Sequence, residues 1–265
     1  MSRTATDPMD CGWFFRQLEI AKRRILLVDY DGTVAPFDAD RHRAKPYPKI
    51  PEFLQCIMTT CATRLIVVSG RAAREVPPLL GISPAPEIWG THGIERLDCN
   101  GRYEEVDVGE NALDALAQAE SQLELAGLGD RTEIKLAAVA IHWRGLPASE
   151  VFKIRVKAYR ILEPLAACRE LLLEEFDQGV ELRLTSANKG DALRDLLAEV
   201  DPLTSVAYLG DDMTDEPAFR VLNGRGLPVL VAPKYRPTSA HIWLRPPDEL
   251  LQFLTRWMRT CGENQ

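Results

Sequence analysis

An α/β fold, in which a parallel sheet carries a second α/β unit inserted into it, is the architecture this sequence predicts. Three observations carry that expectation. Short apolar runs without alternation recur at Ile25-Leu26-Leu27-Val28, Ile66-Val67-Val68, Val206-Ala207-Tyr208-Leu209 and Leu227–Val231. Runs of that length bounded by turn residues read as strands buried on both faces, the usual condition of parallel sheets. Three of them end directly in acids or a hydroxyl beside glycine: Asp29-Tyr30-Asp31-Gly32-Thr33, Ser69-Gly70-Arg71 and Gly210-Asp211-Asp212-Met213-Thr214-Asp215-Glu216. In such sheets the chemistry lies beyond the carboxyl ends of the strands. The third observation is a change of texture between residues 110 and 186, after which the first pattern returns.

The elements follow in order. Residues 1–24 form a short amphipathic lead-in whose Trp13, Phe14, Leu18 and Ala21 are expected to pack. From Ile25 to about Val108 the pattern is strand, loop, helix, strand, helix, strand, closing at the polar turn Asn100-Gly101. Residues 111–126, rich in Ala and Leu, read as a helix, 134–143 as one long strand and 149–169 as a long helix. Residues 171–176 and 180–184 read as a strand pair turned at Gln178-Gly179. Asn188-Lys189-Gly190-Asp191 then opens a helix with apolar positions Ala192, Leu193, Leu196 and Leu197. The expected organisation is a core of residues 1–109 and 187–265 and an insert of residues 110–186.

Composition excludes several classes. A chain of 265 residues has ample core for one large or two modest domains. A net charge of −7 argues against a nucleic-acid surface, and Lys22-Arg23-Arg24 reads as the flank of a buried strand. No apolar stretch approaches the length that spans a bilayer, so no membrane association is expected. The N-terminus lacks an apolar signal core. The six cysteines (Cys11, Cys56, Cys61, Cys99, Cys168, Cys261) show neither zinc spacing nor the density of a disulfide scaffold. A cytoplasmic location and a monomer are the expectations. No phosphate-cradling G-x-x-x-x-G-K-[ST] loop, G-x-S-x-G elbow or H-E-x-x-H pair is present.

The acids are the most informative residues. Asp29 and Asp31 are two apart, so on extended backbone they project to one side and Tyr30 to the other. Two close carboxylates repel, which suits a bound cation or a division into nucleophile and proton carrier. Lys189 precedes a helix N-terminus, itself an anion site. An acid pair, a hydroxyl, a lysine and a second acid cluster, in that order, resemble the motifs of the haloacid-dehalogenase-like phosphohydrolases. Within that superfamily, Asp29-Tyr30-Asp31-Gly32-Thr33-Val34-Ala35-Pro36, Gly90-Thr91-His92-Gly93-Ile94-Glu95 and Thr214-Asp215-Glu216-Pro217-Ala218-Phe219 are similar to the trehalose-6-phosphate phosphatase family. The similarity runs from about residue 25 into the C-terminal region.

That resemblance implies a Rossmann-like, haloacid-dehalogenase-like core with chemistry in the core and sugar recognition in an inserted cap. It implies Mg²⁺-dependent hydrolysis of trehalose 6-phosphate to trehalose and phosphate, the last step of trehalose synthesis. Asp29 is then the nucleophile and Asp31 the proton carrier. Asp29, the backbone carbonyl of Asp31, and Asp211 would hold Mg²⁺, with Asp215 either a helper of that site or the cap of a helix starting near Pro217. Asp212 reads as a ligand-shell acid or as solvated. Ser69 and Lys189 would bind the transferring phosphoryl group, with Thr33 and Arg71 close by. Gly90, His92, Gly93 and Glu95 are expected at the substrate, the glycines by letting backbone approach it. In the cap, His142, Arg144, Glu181 and Arg183 alternate with apolar residues, so their side of the sheet would face the sugar. The partner is a small-molecule sugar phosphate, and a trehalose-phosphate synthase is a further candidate partner. The family's Glu-x-Arg-Pro turn is here Glu181-Leu182-Arg183-Leu184. That difference leaves open a sucrose-phosphate or mannosyl-glycerate phosphate substrate. A phosphosugar mutase, or a silent sugar-phosphate-binding partner of a synthase, are the more distant alternatives.

Overall fold

The computed structural model describes residues 11–38, 40–105, 109–176, 178–185 and 188–262. The chain divides into two compact units, Met1–Glu104 with Asn188–Gln265, and Glu105–Ala187. The second unit starts at Glu105, where the sequence suggested about 110, and the far junction expected at 186–187 lies outside the described residues.

The first unit begins with α1 (Gly12–Ile20), β1 (Arg24–Asp29), α2 (Ile50–Thr60), β2 (Thr63–Val68), α3 (Val76–Leu80) and β3 (Glu87–Gly90), followed by β4 (Glu95–Leu97) and β5 (Tyr103–Glu105), whose last residue opens the second unit. In the second unit lie α4 (Glu110–Leu125), β6 (Thr132–Lys135), β7 (Ala138–His142), α5 (Ala148–Leu165), β8 (Leu171–Phe176) and β9 (Gly179–Leu184). The first unit resumes with α6 (Lys189–Glu199), β10 (Ser205–Gly210), α7 (Glu216–Leu222), β11 (Leu227–Val231), β12 (Ile242–Leu244) and α8 (Asp248–Gly262).

The large sheet runs β12-β11-β10-β1-β2-β3-β4-β5, parallel from β12 to β3, with β4 antiparallel to β3. Its central strands are apolar throughout because both faces are covered. Leu26, Val28, Leu65 and Val67 pack with Phe14, Leu54, Phe253 and Trp257 of α1, α2 and α8. The alternate residues Ile25, Leu27, Ile66 and Tyr208 pack with Leu193, Leu196, Phe219 and Leu222 of α6 and α7. Each such buried side chain contributes about 1.5–3 kcal/mol relative to exposure. Helix α8 shows its own stripe, Leu250, Phe253, Leu254, Trp257 and Cys261, all buried at helical spacing. Sandwiching β1 and β10 at the centre brings their carboxyl ends, and the acids that follow, side by side.

The second unit has an antiparallel sheet in the order β6-β7-β9-β8. The expected long strand over 134–143 is two strands: it folds back at Leu136-Ala137, so that Lys135 pairs with Ala138. No Gly, Pro or Asn marks that turn, which is why the apolar run reads through it.

Candidate active site

Asp29 is the last residue of β1, and its carboxylate is buried. The next residues make a tight loop in which Gly32 N–H donates to the Ala35 carbonyl at 2.7 Å. Tyr30 turns to the opposite side, into the core, where its hydroxyl donates to the Ala44 carbonyl at 2.8 Å. From β10, Asp211 reaches across to Gly32, whose positive φ of 87° only a residue without a side chain accommodates easily. A Cβ on Gly32 would lie 2.1 Å from Asp211 Oδ2, so this glycine both turns the chain and makes room for the facing acid.

Lys189, the first residue of α6, is buried between two carboxylates, with Nζ at 2.6 Å from Asp29 Oδ1 and 2.7 Å from Asp215 Oδ1. Asn188 caps that helix by accepting from Asp191 N–H at 2.9 Å. Burial opposes the ammonium charge, yet the Asp215 and Asp29 carboxylates overcome it and hold the Lys189 pKa well above its ordinary value. Asp215 is fully buried, and its second oxygen accepts from Asp211 N–H at 2.8 Å and Asp212 N–H at 3.1 Å. Its first oxygen also accepts from Tyr208 Oη at 2.8 Å. With those contacts made, Asp215 supports Lys189 and the Asp211 loop rather than offering an open oxygen. It does not cap α7 either: Asp212 caps the short turn ahead of it, accepting from Thr214 N–H at 2.8 Å.

Asp31 faces Arg71, which follows β2. The guanidinium donates to both carboxylate oxygens, Nε and Nη2 each at 2.6 Å, and lies 5.5 Å from the Tyr30 ring centre. Ser69 is buried, and its hydroxyl accepts from Arg71 N–H at 3.1 Å. Thr33 is fully buried, and its hydroxyl has no hydrogen-bond partner.

These residues fit a hard divalent cation. One carboxylate oxygen from each of Asp29, Asp211 and Asp215 falls within a 4.8 Å cluster. An all-oxygen set of few carboxylates is what Mg²⁺ accepts, since it keeps waters and phosphate oxygens for the remaining positions. Given the engagement of Asp215, Asp29 and Asp211 are the members that would hold it. Burial, moderated by Lys189 and reinforced by Asp215, pushes the Asp29 carboxyl up to about 7. Burial and then the neighbouring Asp29 charge push Asp211 up to about 10. A cation would relieve both effects.

The model of the family described as trehalose-phosphatase matches residues 27–245, most of the chain and every motif residue of this site. The chain belongs to the trehalose-phosphatase family. It is similar to the trehalose-phosphate phosphatase of Mycobacterium tuberculosis, at 31% identity over 92% of this chain and 63% of that protein. It is also similar to the bifunctional trehalose-6-phosphate synthase/phosphatase of Thermoproteus tenax, at 30% identity over 80% of this chain and 29% of that protein. The chain thus spans less than two thirds of the length of these curated relatives. Among solved structures, Aspergillus fumigatus trehalose-6-phosphate phosphatase superposes with a TM-score of 0.71 at 22% identity, covering 99% of this chain and 100% of that one. The fold is that of haloacid-dehalogenase-like hydrolases.

Against the expectations drawn from the trehalose-phosphatase motifs, the Gly90–Glu95 stretch differs most. Thr91 and His92 have positive φ values of 47° and 58°. The glycines make room for protein: a Cβ on Gly90 would meet Ala73 N at 2.2 Å, and one on Gly93 would meet Ala192 Cβ at 2.4 Å. Glu95 is buried, accepting from Thr91 Oγ1 at 2.5 Å and Ala73 N–H at 2.8 Å. It clamps the turn, so Glu95, Gly90 and Gly93 each have a structural reason for their place. His92 remains half-buried over Gly70, whose added Cβ would lie 2.8 Å from the ring. That places His92 beside the Ser69–Arg71 segment.

In the second unit, His142, Glu181 and Arg183 share one face of the sheet, as their alternation and register require. Two residues the sequence reading missed, Glu133 and Lys135, share it as well. The face is tied by His142 Nε2 to Glu133 Oε2 at 2.9 Å, Lys135 Nζ to Glu181 Oε1 at 2.8 Å and Arg183 Nη2 to Glu174 Oε2 at 2.7 Å. Ala138 and Ala140 leave it shallow in the middle. Arg144 lies beyond the end of β7 and is exposed, so it is not part of that row.

A cleft of about 920 Å³ also opens in the first unit, at the amino ends of β1 and β10, lined by residues such as Trp13, Arg23, Thr204 and Arg225. The acids converge at the other ends of these strands. Geometry of reactive groups outweighs cleft size here.

Proposed function

We propose that this chain hydrolyses trehalose 6-phosphate to trehalose and inorganic phosphate. Support comes above all from the buried set Asp29–Lys189–Asp215, with Asp211 against Gly32 and Asp31 against Arg71, at the ends of the central strands of a trehalose-phosphatase family fold. A carboxylate oxygen of Asp29 attacks phosphorus in line, the phosphorus–sugar oxygen bond breaks, and an aspartyl-phosphate forms. Asp31 gives its proton to the departing sugar oxygen. Water then attacks the same phosphorus, Asp31 takes the water's proton, and the acyl-phosphate bond breaks at phosphorus to restore Asp29.

For this, the Asp31–Arg71 pair has to open. Arg71 turns to the phosphoryl oxygens, and Asp31 is released to carry a proton. Lys189 keeps its charge throughout and neutralises the phosphoryl group, helped by the Ser69 and Thr33 hydroxyls. Asp29, Asp211 and the Asp31 carbonyl would hold Mg²⁺, which when bound would supply the charge that lets a dianion approach a carboxylate. The polar face of the second unit, with Glu133, Lys135, His142, Glu181 and Arg183, offers the alternating donors and acceptors that sugar hydroxyls require, and we assign it sugar recognition as the cap. A synthase partner is in keeping with the fused enzyme of T. tenax.

The test is phosphate release with Mg²⁺ from trehalose 6-phosphate, sucrose 6-phosphate, glucose 6-phosphate and a mannosyl-glycerate phosphate. A preference for the first of at least about 100-fold, the discrimination that a few buried hydrogen bonds provide, is expected. Equal rates for all would remove the sugar assignment, and no release from any would remove the phosphatase.

The raised carboxyls give a pH prediction. An acid whose pKa is higher folded than unfolded binds more protons in the folded state, so stability falls as pH rises between the two values. Cation-free protein should therefore lose stability from the ordinary value of 3.8 up to about 7 through Asp29, and on towards about 10 through Asp211. Mg²⁺ must displace those protons, so its apparent affinity should tighten as pH rises through 7. Thermal melts with and without Mg²⁺ across pH 5–9 would check both slopes; a Mg²⁺ shift independent of pH would contradict them.

A further inference from the structure

The acid loop after β10 is held from behind by a strap that no motif announces. Between β11 and β12 the chain returns over this loop, and the Arg236 guanidinium reaches the backbone. Its Nε donates to the Asp211 carbonyl at 3.2 Å, and its Nη2 to the Asp212 carbonyl at 2.5 Å. Its Nη1 donates to Glu216 Oε1 at 2.5 Å and to the Pro237 carbonyl at 3.1 Å. Glu216, buried at the start of α7, also accepts from Thr238 Oγ1 at 2.6 Å and Ser239 N–H at 2.8 Å. These contacts buckle residues 236–239 onto residues 211–216.

The position of the buckle matters. Asp29, Asp211 and Asp215 crowd into one cluster, so an ionised Asp211 is repelled outward unless it is held. The peptide units around Asp211 are fixed at both sides: its N–H is held by Asp215, and its carbonyl by Arg236. A planar, forked guanidinium holds two carbonyls and a carboxylate from three separate nitrogens; an ammonium has three donors on one nitrogen and does not match that spread. We infer that Arg236, buckled to Glu216, is a positioning residue that holds Asp211 where a divalent cation needs it. The inference rests on the proposed use of Asp29 and Asp211 for Mg²⁺.

Arg236→Lys is the discriminating variant, because lysine keeps a positive charge for buried Glu216 while losing the fork. Mg²⁺ binding would be measured by calorimetry without substrate, next to the melting temperature in chelator and the KM for sugar phosphate at saturating Mg²⁺. Loss of an outer support of this kind typically weakens metal binding by about 10–100-fold. The expected result is a loss in that range, with the chelator melting temperature and the KM close to wild type. Glu216→Gln, which keeps one acceptor oxygen for Arg236 and Thr238, loses the acceptor for Ser239 N–H and drops the charge, should weaken Mg²⁺ by a smaller factor and serves if Arg236→Lys does not fold. Wild-type Mg²⁺ affinity in a folded Arg236→Lys protein would overturn the inference. Wild-type protein that binds no Mg²⁺ would instead overturn the cation reading, and this inference with it.

Discussion

Asp29→Asn is expected to abolish turnover, by about 10⁴-fold or more, while leaving the fold intact. A nucleophile has no substitute in a two-step transfer, so its loss removes the reaction rather than slowing one step. The amide is nearly isosteric and still offers Lys189 Nζ an acceptor in place of Asp29 Oδ1. It also relieves a buried carboxyl whose pKa burial has already raised to about 7. The melting temperature in chelator should therefore stay level or rise. Calorimetry should still show sugar phosphate binding to the variant. Acid-quenched wild-type enzyme should carry phosphate on the peptide containing Asp29, and the variant should not. Turnover near wild type in Asp29→Asn would sink the mechanism.

Lys189→Met should fail in both stability and activity, for separable reasons. It leaves Asp29 and Asp215 buried and facing one another without the intervening charge. Removing one partner of a buried ion pair costs about 3–5 kcal/mol. The cost should grow as pH rises, and Asp29, freed of the lysine that lowers its pKa, should take up a proton at a higher pH than in the wild type and relieve part of it. Adding Asp215→Asn removes one stranded charge and should recover part of that stability. It should recover none of the turnover, which falls by roughly 10³-fold with the loss of the phosphoryl-facing ammonium. Denaturant melts at two pH values and initial rates for the single and double variants give the comparison. Recovery of rate along with stability would reduce Lys189 to a structural role.

What was legible in the sequence, and what was not, follows from where information resides. Strands such as 25–28 and 206–209 are buried on both faces, and that condition writes itself as an unbroken apolar run. The order of Asp29, Ser69, Lys189 and Asp211 along the chain matched a family whose model covers residues 27–245. Side-chain allegiance was less legible. Spacing cannot tell an acid with open oxygens from one like Asp215, whose oxygens are spent on Lys189, Tyr208 and two amides. Likewise, the motif around Glu95 does not announce its clamp on Thr91 and Ala73. Glu133 and Lys135 were hidden because the hairpin at Leu136-Ala137 lacks a turn residue. Arg236 was invisible in another way, since it binds backbone carbonyls, and any sequence supplies those. Helix α8 carried a clear helical stripe and could have been found.

The strand order has a consequence for how the protein is born. Strand β1 sits between β2 and β10, and the Lys189–Asp29 pair joins residues 160 apart. As the chain leaves the ribosome, the second unit is complete by residue 187, while β1 still waits for the neighbour that covers one edge. Domains generally fold as units during synthesis, and contacts of long sequence separation form late. The nascent protein thus finishes its insert before its reactive centre exists. The nucleophile, its lysine and the acids beyond β10 come together only after residue 211 has been made. Assembly of the sheet and the switching-on of chemistry are one event.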